Sequence, residues 1–166
     1  MDATQDGAAQ SEAAPVIEGR LAWQQALREL LLDPGAQLCM YSDDYAEWPL
    51  DESALVQGLA RWALPRRRPC MRMLARDYSR LLAGNSRFVR WREEFSHVIQ
   101  CRELSPGIES PPEGLWLHER ALVALPAQRE RRALLQAGRD AQASLQMFEQ
   151  AWDLAEPGFV PRALGL

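Results

Sequence analysis

Short apolar runs alternate along this chain with longer stretches whose apolar residues recur at helical spacing. Trp23, Leu27, Leu30 and Leu31 share one face of a helix expected over Val16–Leu32, which Asp33-Pro34-Gly35 stops. Gln37–Tyr41 is too short and too apolar for a helix and reads as a buried strand. Asp51 is placed to cap a second helix carrying Leu55, Leu59 and Trp62, which Pro65 ends. Cys70–Ala75 reads as a second strand, and a short helical stretch follows over Tyr78–Ala83. Asn85 is placed to cap a helix with Phe88, Trp91 and Phe95 on its face. His97–Arg102 reads as a third strand, and the Pro/Gly-rich stretch Ser105–Gly114 as a loop. Leu115–Arg120 and Ala121–Leu125 read as two strands or one long run. The last helix is expected over Arg139–Ala155, with Ala141, Leu145, Phe148 and Trp152 on one face. Strands alternating with helices in this order imply an α/β sandwich with a mixed, largely parallel sheet flanked by helices.

With 166 residues, 47% of them hydrophobic, the chain has the material for one core. Residues 1–14 are polar and aperiodic and read as a disordered tail, leaving 15–166 as a single domain. The formal net charge of −4 argues against a dedicated nucleic-acid binder. Cys39, Cys70 and Cys101 are widely spaced within apolar runs and read as buried thiols. With only two histidines and no CxxC, no metal is expected, and the sequence holds no GxGxxG, GxSxG or HExxH. No apolar stretch reaches the ~18 residues of a spanning helix, so no membrane partner is expected. The N-terminus lacks the basic start and apolar core of a secretory signal, which makes the cytoplasm the expected location.

All 19 basic residues are arginine; there is no lysine. This removes Schiff-base chemistry, a Walker loop and a Ser-Lys dyad. Ligands of open α/β sheets gather at the carboxyl edge of the strands. Ser42-Asp43-Asp44 and Arg76-Asp77 follow expected strands, so Asp43, Asp44 and Asp77 are candidate acceptors for a cation or a basic partner. Asp equally favours solvated loops and helix caps. His118 is the catalytic candidate by type, as nucleophile or general base. On a strand, Arg120 would share its face and could hold a phosphate, while Glu119 would point away. A histidine satisfied at a sheet edge is the structural alternative. Arg66, Arg67 and Arg68 form a basic run suited to phosphate or carboxylate, and Arg129–Arg132 a second, diluted by Glu130. Neither is interleaved with the aromatics that a single-strand binder uses.

Leu38-Cys39-Met40-Tyr41-Ser42-Asp43-Asp44, Met71-Arg72-Met73-Leu74-Ala75-Arg76-Asp77 and Phe148-Glu149-Gln150-Ala151-Trp152-Asp153-Leu154-Ala155-Glu156-Pro157 carry a resemblance over residues 16–166. The chain resembles one half of the phospholipase D superfamily fold. More closely, it is similar to an uncharacterised bacterial phospholipase-D-like domain found alone or attached to acetyltransferases of the GNAT class. Active members of the superfamily carry His-x-Lys-(x)4-Asp, in which histidine attacks phosphorus and lysine neutralises the oxyanion. Laid on this chain, the signature falls on His118, Arg120 and Leu125, so lysine is arginine and aspartate is leucine. Active enzymes also pair two such segments, within a chain or across a dimer, and this chain has one. The resemblance therefore implies a non-catalytic binding, regulatory or scaffolding domain of a bacterial cytoplasm. It would need no cofactor and would have an acetyltransferase-type protein partner. Two other readings stay open: a divergent phosphodiesterase or nuclease assembled as a homodimer around His118, and a nucleic-acid accessory factor using Arg66, Arg67 and Arg68.

Overall fold

The computed structural model describes residues 13–126 and 129–160. Residues 1–12 of the expected tail and the last six residues lie outside them. The element order is β1 (Val16–Glu18), α1 (Arg20–Leu32), β2 (Leu38–Tyr41), α2 (Ser53–Ala63), β3 (Met71–Ala75), α3 (Ser79–Gly84), α4 (Ser86–Glu94), β4 (Ile99–Glu103), β5 (Gly114–Leu117), β6 (Arg120–Ala124), β7 (Arg132–Ala137), α5 (Gly138–Leu154) and β8 (Glu156–Pro157). One sheet runs β1-β7-β6-β5-β2-β3-β4-β8.

Among the described residues only β2–β3 and β3–β4 pair in parallel; the other five pairings are antiparallel. The sheet is mixed, as expected, but not largely parallel. The helical crossovers α2 and α3–α4 return the chain in the same direction, which parallel pairing requires. After β4 the connections shorten, and β5, β6 and β7 run as a meander whose neighbours must be antiparallel. Sequence periodicity assigns no element to β7. It also reads Val16–Glu18 as helix, whereas these residues pair with β7 as Val16↔Leu134 and Glu18↔Arg132. Gly19, at φ +88, breaks β1 from α1, and its N–H donates to the Arg131 carbonyl at 2.8 Å.

Alternation along each strand divides the core in two. Leu38 and Met40 of β2, Leu115 and Leu117 of β5, and Leu122 of β6 join Trp23, Leu27, Leu55, Leu59, Phe88 and Trp91 of α1, α2 and α4. Their neighbours Cys39, Tyr41, Trp116, Ala121 and Val123 pack on the opposite face against Phe148, Ala151 and Trp152 of α5. The result is a helix–sheet–helix sandwich with three aromatic faces that the helical spacing anticipates. The caps differ. Asp51 does not bond within α2; its Oδ1 accepts the Arg87 N–H at 2.8 Å, so a residue distant in sequence satisfies the first turn of α4.

One ion pair ties two helices of the same layer together, and another ties the sheet to α5. Arg28 of α1 donates from Nε to Glu52 Oε2 at 2.6 Å, and Arg72 of β3 reaches Glu149 of α5 with both terminal nitrogens, one at 2.6 Å. Arg72 also sits 5.4 Å from the Phe148 ring centre and 5.5 Å from that of Trp152. The hydrogen bonds from Arg72 and Arg28 hold the Glu149 and Glu52 carboxyls below their usual range, with burial opposing. A carboxyl depressed in the folded state contributes stability above its unfolded pKa and loses it as pH falls through the folded value. The melting temperature is therefore expected to fall on acidification below the ordinary carboxylate range, and Glu149→Gln to flatten that acid limb. Thermal unfolding of both proteins across pH 2–7 checks it.

Candidate functional site

The three parallel strands deliver their carboxyl ends to one rim, where the loops after β2 and β3 are stitched together. The Asp43 carbonyl accepts the Arg76 and Asp77 N–H groups at 3.1 and 3.0 Å. Tyr45, at φ 58 and 1% exposed, holds the β2 loop down. Its hydroxyl is shared between the carbonyls of Leu74 at 2.8 Å and Met40 at 3.0 Å. A tyrosine in the left-handed region is a strained arrangement that buried hydrogen bonds must maintain.

Beside this loop an open cleft of about 700 Å³ lies between the β2 loop, the segment before β5 and the β6–β7 connection. Its floor is a polar network. Glu113, directly before β5, accepts the Ser42 hydroxyl at 2.9 Å and the Trp48 indole N–H at 2.8 Å on one oxygen, and Arg131 at 2.8 Å on the other. Arg131 also donates to Glu47 at 2.6 Å and lies 4.6 Å from the Trp23 ring centre. Burial works against the Arg131 charge, but its bonds to Glu113 and Glu47 outweigh this and hold its pKa above the usual guanidinium value. At the cleft wall the Tyr41 hydroxyl donates to Asp43, and burial followed by that carboxylate pushes its pKa up. Among the described residues five carboxylates line the cleft against two guanidiniums, which makes it acidic.

Asp43, Asp44 and Asp77 share the rim, as the strand order implies, but their side chains are engaged separately. Asp44 accepts the Ala46 N–H at 3.0 Å and lies 3.6 Å from Arg80. Asp77 accepts the Ser79 N–H at 2.8 Å, the bond that lowers its pKa, and lines a second cleft of about 690 Å³ with Arg76. Among the described residues no group of three His, Cys, Asp or Glu is placed to hold a metal ion.

His118 lies elsewhere. Leu117 pairs with Leu38, so the β5–β6 turn holding His118 and Glu119 sits at the amino end of β2, opposite the cleft. Its side chain is 91% exposed, with Glu119 3.9 Å away. Being in a turn, His118 does not share a strand face with Arg120, the exposed first residue of β6. Leu125 alone of that signature alignment lines the cleft. The basic run is also at the amino edge, ahead of β3. Arg66 is spent on the Gly35 and Trp62 carbonyls and stacks 4.3 Å from the Trp62 ring centre, while Arg67 and Arg68 are exposed.

Sequence reasoning passes over Glu47, Trp48 and Glu113, and takes Arg131 only as part of a basic run. Glu47 and Arg131 are 84 positions apart, and no local pattern joins them.

Solved structures share this fold at low identity. TrmBL2, an archaeal chromatin protein whose structure shows a novel mode of DNA binding, matches with a TM-score of 0.65 at 16% identity, over 93% of this chain and 57% of that one. Nuc, a phospholipase D family member from Salmonella typhimurium, matches with a TM-score of 0.56 at 10% identity, over 87% of this chain and 97% of that one. Phosphatidylserine synthase from Haemophilus influenzae Rd KW20 matches with a TM-score of 0.50 at 13% identity, over 87% of this chain and 39% of that one. The chain thus spans well under two thirds of TrmBL2 and of the synthase, and nearly all of Nuc. No curated protein matches it in sequence. The fold is phospholipase-D-like, and because a family model described as a domain of unknown function (DUF7931) matches residues 20–164, the chain belongs to that family.

Proposed function

We propose that this domain binds rather than cleaves, acting as a non-catalytic phospholipase-D-like regulatory or scaffolding module in a bacterial cytoplasm with an acetyltransferase-type protein partner. One observation carries the reading: the cleft at the carboxyl edge contains neither of the chain's histidines, and Arg131 in its floor is clamped by Glu47 and Glu113. Phosphodiester cleavage by a histidine needs a positioned nucleophile and a cation free to meet the developing oxyanion. A clamped arginine is committed to its carboxylates, and an acidic cleft repels a phosphodiester. His118 and Arg120, at the opposite end of the strands, have no buried carboxylate among the described residues to orient them.

The test is turnover of DNA, RNA and lipid phosphodiesters at concentrations high enough to populate a dimer. No turnover above a no-protein blank is expected, and His118→Ala is expected to behave as wild type. Turnover abolished by His118→Ala would establish the dimeric enzyme instead. Salt-sensitive DNA or RNA binding lost on replacing Arg67 and Arg68 would favour the accessory-factor reading.

A further inference from the structure

A second charged pocket lies at the β4 edge of the sheet, away from the acidic cleft. Its volume is about 360 Å³, and Arg92, Ser96, Cys101, Arg102 and Gly158 contribute to its walls. Among the described residues no carboxylate lines it; Glu103 and Glu156 line the neighbouring cleft with Arg76 and Asp77. The pocket lies beside the short β8. Its pairing with β4 covers Arg102 and Glu103 only, so among the described residues the edge at Ile99 and Gln100 has no strand beyond it.

Arg92 of α4 is the unusual member. It is 4% exposed, and its Nε and Nη1 atoms are sealed from solvent with no hydrogen-bond partner among the described residues. Two guanidiniums that are only partly buried are each paired: Arg72 has Glu149, and Arg131 has Glu47 and Glu113. A buried, uncompensated charge is strongly destabilising, so proteins pair such groups or supply a counter-ion. Among the described residues the neighbouring groups do not supply one. Phe159, at φ 45, places its ring 5.7 Å from the Arg92 guanidinium, which offers only the weak attraction of a ring face. Cys101 is buried, and burial pushes its thiol up to about 12 despite the pull of Arg92, so it is neutral at physiological pH.

Arg102 approaches from the other side of β4. One of its nitrogens donates to the Trp152 carbonyl at 2.8 Å, and its guanidinium lies 4.5 Å from the Trp152 ring centre, which fixes its plane and leaves further donors unspent. Two guanidiniums, one pre-oriented, with a serine in the lining and no carboxylate among the described lining residues, suit an anion bearing several oxygens. We propose that this edge pocket binds a small oxyanion of the phosphate-monoester class, with Arg102 as its direct cationic donor, the buried charge of Arg92 behind its wall, and Ser96 as a hydroxyl in its lining. The proposal is independent of the acidic cleft and of whether the domain is catalytic.

Inorganic phosphate is the probe, with chloride and acetate at matched ionic strength as the other arms, read by thermal unfolding and calorimetric titration of the full chain. Wild type is expected to bind phosphate saturably and to melt higher with it, by more than with chloride or acetate. Arg92→Gln is expected to weaken phosphate at least tenfold, and Arg102→Gln to weaken it as well, while Arg120→Gln at the distant turn changes nothing. Arg92→Met keeps the question answerable if Arg92→Gln folds poorly. Without phosphate it is expected to melt at or above wild type, because it removes an unpaired charge, and phosphate is then expected to raise wild type alone. A wild-type melting temperature indifferent to phosphate, an equal response to acetate, or phosphate binding unchanged by Arg92→Gln would each overturn the assignment.

Discussion

Trp116→Ala is expected to lower unfolding free energy by about 3–5 kcal/mol, the usual cost of emptying a large aromatic site in a core. Trp116 stands at the centre of β5 and is 2% exposed. Its ring meets Phe148 of α5 at 5.3 Å between centroids, and its indole N–H donates to the Ser144 hydroxyl at 2.9 Å. The face it fills is the smaller of the two cores and is covered by one helix, so neighbours have little freedom to close the void. Trp116→Phe separates packing from hydrogen bonding. It keeps most of the ring and leaves Ser144 its contacts with Gln136 and the Ala141 carbonyl, so a loss of about 1–2 kcal/mol is expected. Urea unfolding of the three proteins reads both values; equal losses would mean that the hydrogen bond, not the packing, secures α5.

The second large effect belongs to the cleft floor. Glu113→Ala removes the acceptor shared by Ser42, Trp48 and Arg131, and leaves the Trp48 indole N–H without its partner beneath the loop. Arg131 retains Glu47, which limits the damage. A cost of about 2–4 kcal/mol follows from two orphaned donors, Ser42 and Trp48, and one broken, partly buried ion pair. Glu113→Gln keeps an acceptor oxygen but loses the charge, and is expected to cost less than half as much. Denaturant unfolding decides between this and a solvent-compensated network, in which Glu113→Ala would cost under about 0.5 kcal/mol, as at an exposed site.

What was legible in the sequence was local. The faces of α1, α4 and α5 follow from the spacing of Trp23 and Leu27, Phe88 and Trp91, and Phe148 and Trp152, because helical period and burial coincide there. The stop at Asp33-Pro34-Gly35 and the buried strand at Leu38–Tyr41 were equally direct. The strands that depend on partners were not. Val16–Glu18 is a strand only because β7 lies beside it, and β7 begins in a run of arginines that reads as loop. Overall parallelism was overestimated because helices between strands announce crossovers, whereas the late meander has only short turns to mark it. Asp51 was read as a cap for the helix that follows it, but tertiary packing gives it to α4, 36 positions on. The rim holding Asp43, Asp44 and Asp77 was readable from strand ends; the ion network beneath it joins Glu47, Glu113 and Arg131 from separate segments and left no local trace.

The missing lysine bears on the chemistry through where arginine is placed. Arg131, the guanidinium in the cleft floor, is bound to two carboxylates, while Arg120 stands exposed at the far end of β6. The first is committed to its carboxylates and has no histidine in its cleft, and the second adjoins a turn whose histidine is 91% exposed. The most direct measurement is a single-turnover phosphodiesterase assay with a chromogenic phosphodiester, using wild type at concentrations spanning monomer and any dimer, with and without His118→Ala. The account predicts product formation no faster than the uncatalysed rate at every concentration. Catalysis that rises with protein concentration and disappears in His118→Ala would contradict it.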